Sequence, residues 1–213
     1  LRSFFSEEDT AGTRIAAERA TKLPRDSDND IRGWPSSAQV WVRQARVTPE
    51  EVKAYGIAYS ERLGRVIIPI YNGVDLIGWQ ARKVHDHDEG PKYYTKTIAP
   101  EKMMVFDHGR CGGDTIVLCE DVLSCIRIGR FLPAVAILGT EVSDYALSKL
   151  TKHRSHAIVY LDYDNRIVKK KSRVLKNRLE LLMDSVTLVV NQPDPKTLTD
   201  TQLEILLRKY LST

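Results

Sequence analysis

The sequence predicts an α/β protein, a doubly wound parallel sheet preceded by a smaller, basic α+β subdomain. Three observations predict it. From residue 115 onward, short apolar runs alternate with helical stretches in a βαβαβαβα order, and parallel strands need such crossovers. Two of those runs, T-I-V-L-C and A-I-V-Y-L, end in acids: Glu120 after the first, Asp162 and Asp164 after the second. Ahead of them, R-V-I-I-P-I-Y and V-D-L-I-G-W-Q-A-R flank Asn72-Gly73, the dipeptide a type I′ hairpin turn prefers.

Taken in order, residues 6–21 form a short helix, acids first and Lys22 last, as the helix dipole prefers. Residues 24–37 are polar with prolines toward both ends and read as an arm, to which Trp34 supplies a pin against the domain. Residues 38–45 are helical. Thr48-Pro49-Glu50-Glu51 is a capping box with Pro at the first helical position, and Gly56 ends that helix. In the hairpin Pro69 cannot donate a ladder hydrogen bond, so it predicts an edge position or a bulge. Another strand starts at P-K-Y-Y. His85-Asp86-His87-Asp88 reads as a solvated loop rather than a metal site, because nothing fixes alternating ligands in a tetrahedron.

Gly109–Asp114 (G-R-C-G-G-D) is the best boundary, giving an amino-terminal helix and arm (1–35), a basic subdomain (36–110) and the parallel-sheet domain (111–213). In the last, strands over 115–119, 134–138, 156–161 and 186–190 alternate with helices over 122–130, 143–150 and a basic one ending near Met183. A final helix is capped by Thr199 with Gln202 three residues on.

The 213 residues carry 32 basic and 28 acidic side chains, a net charge of +4, but Lys152 to Arg178 holds nine Lys or Arg against two acids. Such a patch points to an anionic partner. Three cysteines without a Cys-x-x-Cys pair exclude a disulfide framework and a self-contained zinc site, and fit a reducing cytoplasm. No apolar run reaches the roughly 20 residues of a membrane span. The chain lacks both a signal peptide and an initiator Met, which suggests a cut or processed chain with an upstream domain.

Open α/β sheets bind ligands beyond the carboxyl ends of their strands. If the strands before Glu120 and Asp162 are neighbours, three carboxylates emerge together, and Asp194 follows the fourth strand at the same edge. Clustered carboxylates repel unless a cation joins them, and hard oxygen donors suit Mg²⁺ or Mn²⁺. Arg65 and Arg82 bracket the hairpin's open end and, with Lys92, form a candidate basic surface for phosphates. Lys169, Lys170, Lys171 and Arg173 lie on the basic helix after Asp164 and are candidates for weaker nucleic-acid contact.

These segments (R-V-I-I-P-I-Y-N-G with G-W-Q-A-R, P-K-Y-Y, I-V-L-C-E-D-V-L-S-C-I-R-I-G, A-I-L-G-T, I-V-Y-L-D-Y-D and D-P-K) resemble the TOPRIM-containing bacterial-type DNA primases, especially the compact phage versions. The resemblance runs from about Pro24 to the carboxyl terminus. It implies a basic subdomain and a TOPRIM subdomain with the template groove between. It further implies synthesis of RNA primers on single-stranded DNA from ribonucleoside triphosphates, with catalytic, metal-binding Glu120, Asp162 and Asp164, and Asp194 as a further metal acid. Arg82 and Lys92, joined by Arg65, match residues that hold template or nucleotide phosphates. A replicative helicase is an implied partner and a bacterial cytoplasm the implied location.

The chain departs from the family pattern. Asp121 and Ser124 stand where a Gly and a further Asp are common, and Lys196 stands where a second acid often follows Asp194. The family's zinc module and a helicase P-loop are absent from these 213 residues. Two other readings therefore stay open: a TOPRIM nuclease, and a catalytically impaired binding module serving replication.

Overall fold

The computed structural model describes residues 22–84, 90–108, 112–139, 141–162 and 166–211. The helix expected over 6–21, the His85–Asp88 loop and Asp164 fall outside the described residues.

The amino-terminal half is an antiparallel sheet in chain order: β1 (Ser27–Asp28), β2 (Ala58–Ser60), β3 (Arg65–Asn72), β4 (Asp75–Lys83) and β5 (Tyr93–Thr97). Two helices, α1 (Ser36–Gln44) and α2 (Pro49–Ala54), lie between β1 and β2. The capping box of α2 is formed: Thr48 Oγ1 accepts from Glu51 N at 3.2 Å, and Glu51 Oε2 accepts from Thr48 N at 2.9 Å. Trp34 is 4% exposed and donates from Nε1 to the Asp28 carbonyl at 2.9 Å, pinning the arm as expected.

The hairpin differs from expectation by one residue. Asn72 pairs with Asp75, so the two-residue loop is Gly73-Val74, not Asn72-Gly73. Gly73 has φ of 64° and Val74 is not left-handed, whereas a type I′ turn needs both central residues at positive φ. A Gly-first loop is the type II′ pattern, and the register absorbs the shift through a bulge between Ile70 and Tyr71. Pro69 precedes that bulge, and β2 pairs only with Arg65–Ile67, so no strand covers that side of β3 at the proline. Gly78 of β4 has a different constraint. A Cβ there would lie 2.5 Å from the Lys96 carbonyl oxygen and 2.8 Å from Thr97 Cβ, so the close approach of β5 requires glycine.

The second sheet has the order β10-β9-β7-β8-β6. Its parallel strands are β7 (Thr115–Cys119), β8 (Ala134–Ala136), β9 (His156–Tyr160) and β10 (Ser185–Leu188). The crossovers are α3 (Val122–Ile128), α4 (Asp144–Thr151) and α5 (Arg166–Glu180), and α6 (Asp200–Leu211) follows β10. A two-residue strand, β6 (Val105–Phe106), adds antiparallel to β8 at the edge and was not foreseen. It comes from ahead of Gly109.

Strand alternation explains why the sheet is covered twice. Val117, Cys119, Ala134, Ala136, Ile158 and Tyr160 face a core shared with α3, α6 and the amino-terminal Trp34, Val42, Val66 and Ile68. Ile116, Leu118, Val135, Ile137, Ala157 and Val159 face the other way, against α4 and α5. Each fully buried aliphatic chain contributes roughly 1.5–3 kcal/mol, so the first cluster welds the two halves together.

A charged clamp reinforces the weld. Arg127 is fully buried and donates to the carbonyls of Ala45 (3.2 Å) and Leu198 (2.9 Å) and to Asp200 (2.7 Å). Arg130, one turn on, donates to both Glu51 oxygens (2.9 and 2.6 Å), to Asp200 (2.8 Å) and to the Arg46 carbonyl (2.8 Å). Arg127 of α3 and Arg130 just beyond it thus bind α2 and its preceding turn to the start of α6.

Candidate active site

β7 and β9 are parallel neighbours with Cys119 opposite Tyr160, so Glu120 and Asp162 leave adjacent strands at the same edge. Both line a cleft of about 600 Å³ between the two sheets. Its other wall is the antiparallel sheet, which contributes Gln80 and Arg82 from β4, Tyr93 and Thr95 from β5, and Lys92 just before β5.

The electrostatics follow from this placement. Glu120 is pushed up from an ordinary carboxyl value to about 7 by burial first, then by the Asp162 and Asp121 carboxylates; Lys196 and Lys92 pull the other way. Burial and the neighbouring carboxylates both disfavour its charged form. The hard oxygen donors of Glu120 and Asp162 suit Mg²⁺ or Mn²⁺. Among the described residues, no three His, Cys, Asp or Glu side chains gather closely enough to hold a metal by themselves. Asp164, the third predicted acid, lies outside those residues.

Asp194, the fourth, lines the cleft but is engaged by Lys196 at 3.0 Å, and its Oδ1 accepts the Lys196 backbone N–H at 2.9 Å. Lys196 also pairs with Asp121. Burial works to lower the lysine's pKa, but the Asp121 and Asp194 carboxylates outweigh it and raise the value. Asp121 in turn caps α3, accepting from Leu123 N (2.9 Å) and Ser124 N (3.1 Å). Two of the departures noted in the sequence, Asp121 and Lys196, therefore form one structure: an ammonium held between two aspartates beside Glu120. Sequence reasoning registered Lys196 only as a missing acid; the pairing joins residues 75 positions apart, and no local signal announces it.

Arg82 lies where the sequence placed it. Its guanidinium is 5.6 Å from the Trp41 ring centroid and 5.4 Å from that of Tyr93, so two aromatic faces hold it in the cleft. Lys92 stands 5.8 Å from the Tyr93 centroid. Arg65 does not join them. It pairs with Lys83, and Val66 pairs with Arg82, so Arg65 and Arg82 project from opposite faces of the sheet. Arg65 instead donates to the carbonyls of Pro91 (2.9 Å) and Ala81 (3.3 Å) and lines a separate cleft. Lys169, Lys170, Lys171 and Arg173 are likewise outside the first cleft. They line a groove along α5, where Lys171 pairs with Glu141 at 3.0 Å and Lys170 and Arg173 are exposed.

The architecture is that of bacterial DNA primase domains. The chain is similar to the Aquifex aeolicus primase crystal structure (zinc-binding and RNA polymerase domains), with a TM-score of 0.72 and 16% identity over 98% of this chain and 62% of that one. A DNA primase domain from Pseudomonas aeruginosa gives a TM-score of 0.57 and 17% identity over 97% of this chain and 72% of that one. The chain thus spans less than two thirds of the Aquifex chain, and the likeness is one of fold. No family model matches the sequence, and no curated protein does. Among the described residues, no helix is long and apolar enough to cross a membrane.

Proposed function

We propose that this chain is the polymerising core of a DNA primase, joining ribonucleotides into a short RNA primer on a single-stranded DNA template. The observation that carries the reading is the cleft itself, with Glu120 and Asp162 on adjacent parallel strands facing Arg82 and Lys92 on the other sheet. The fold likeness to primase domains supports it.

In this reading Glu120 and Asp162, with Asp164 as the third carboxylate, would hold Mg²⁺ or Mn²⁺, which when bound neutralises charge on triphosphate oxygens. Arg82 and Lys92 bind the phosphates from the opposite wall. The Trp41 and Tyr93 rings keep Arg82 from swinging away, so its charge is pre-aimed rather than recruited. Lys196 supplies a fixed positive charge between Asp121 and Asp194, where other carboxylate clusters would need a second metal ion. Asp194 then serves by holding Lys196. No side chain acts as nucleophile; orientation of the primer hydroxyl and the triphosphate supplies the rate. The cations of α5, Lys169 to Arg173, would lie along more distant backbone phosphates.

Incubating the chain with single-stranded DNA, labelled ribonucleoside triphosphates and Mg²⁺ or Mn²⁺ tests the reading. Ribo-oligomers should form and should vanish in Asp162→Ala. Full synthesis by that variant, or metal-dependent nicking without nucleotides, sinks it.

A further inference from the structure

We propose that the outer face of α5 is a docking surface for an acidic amphipathic helix of a partner protein. Helical spacing creates it. Val168, Ser172, Leu175 and Leu179 turn inward and are buried, which leaves the positions between them on the surface. Ile167 is 68% exposed, Val174 52% and Leu181, just past the helix end, 83%. They recur at seven-residue steps, so they form one row along the helix. Ile167 and Val174 line a groove of about 1110 Å³ that has Val142 on its far side. The groove shares no lining residue with the cleft that holds Glu120.

Cations border the row on both sides. On one side Lys171 is taken by Glu141 at 3.0 Å and Arg178 by Asp144 at 2.8 Å. On the other side stand Arg166, Lys170 and Arg173, all exposed and without an ion pair among the described residues. Charge and shape together select the occupant. A phosphate backbone draws on the cations and leaves the aliphatic row in water, and no aromatic ring lines the groove to receive a base. An acidic amphipathic helix uses both: its apolar stripe covers Ile167 and Val174 while its carboxylates meet Lys170 and Arg173. A second copy of this chain is the wrong partner, because two such faces would set cation against cation. With 15 residues, α5 offers a track of about 22 Å, roughly four turns of a partner helix.

The test is fluorescence anisotropy of a labelled synthetic peptide of about 20 residues with the full chain. The peptide carries Leu at the first and fourth places of each heptad and Glu or Ala elsewhere. Its control is a scrambled peptide of the same composition, whose leucines no longer share a face. The ordered peptide should bind at least about tenfold tighter than the scrambled one. Ile167→Ser with Val174→Ser should weaken that binding about tenfold or more, because two aliphatic side chains lose their burial, while affinity for oligo(dT) stays as in wild type. Lys170→Glu with Arg173→Glu should weaken it too, and by less at high salt. All four side chains are exposed, so thermal midpoints should stay at the wild-type value. No binding of the ordered peptide, equal binding of the scrambled one, or a serine variant that binds like wild type overturns the proposal. Two further results also overturn it: an equal loss of oligo(dT) affinity in the serine variant, which gives the row to nucleic acid, and a dimer in sedimentation that this variant dissolves, which gives it to a second copy.

Discussion

Two charged clusters sit at the junction of the sheets, and they are built on opposite principles. The clamp sets Arg127 and Arg130 against Glu51 and Asp200, two cations for two acids, with carbonyls taking up further N–H groups. The cleft sets Glu120, Asp121, Asp162 and Asp194 against Lys196, with Arg82 and Lys92 across the gap. Partially desolvated charge is stable when paired and strained when in excess. The clamp is neutral and therefore structural; the cleft gathers four carboxylates, and burial first, then the neighbouring Asp162 and Asp121 charges, raise the pKa of Glu120. Sites that tolerate such imbalance are the ones where a ligand completes the pairing.

Breaking each cluster should have contrasting consequences. The largest effect is on chemistry: Asp162→Ala should lower primer synthesis by at least about 100-fold while leaving the thermal midpoint of the metal-free chain unchanged or raised. The reverse holds for the clamp. Arg127→Ala removes a fully buried guanidinium from three acceptors and should cost about 3 kcal/mol or more, lowering the thermal midpoint by roughly 6–12 °C for a chain of this length. Calorimetry of both variants tests the contrast, and a clamp variant as stable as wild type would erase it.

Lys196→Ala sharpens the comparison, because it strips the cleft of its internal cation. It should destabilise the metal-free chain by about 1–2 kcal/mol, and Mn²⁺ should restore the variant by more degrees than it adds to wild type. Equal shifts would mean that the lysine and the metal do not answer the same charge.

The smallest effect is a pH dependence. Glu120 keeps its proton up to about pH 7 in the folded chain, against an ordinary value of 4.5. The contribution it makes below pH 4.5 is therefore lost as the pH rises from 4.5 to 7. Glu120→Gln escapes that loss. Without metal, it should match wild type near pH 4.5 and melt about 2–4 °C higher at pH 8, a modest figure because Glu120 is only half-buried. Parallel melting curves at both pH values decide it.

What the sequence disclosed and withheld divides along a physical line. The capping boxes at Thr48 and Thr199 and the βα alternation were legible because each depends on residues within a few positions of one another. Glu120 and Asp162 were legible because a strand end is marked in sequence and parallel order follows from alternation. The faces of Arg65 and Arg82 were not, since their separation depends on hairpin register, and the turn fell one residue from the expected place. Arg127 looked like an ordinary helical arginine; its burial depends on Ala45, Leu198 and Asp200, which only folding brings near. Two-residue β6 is too short to leave a periodic signal.

Gly78 ties these themes to a single atom. β5 turns Tyr93 and Thr95 toward one groove and Tyr94 and Lys96 toward the other, and it reaches β4 only because residue 78 has no side-chain carbon to fend it off. A methyl group there would pry the edge strand outward and disturb both grooves in one stroke, so two surfaces facing opposite directions share one point of vulnerability.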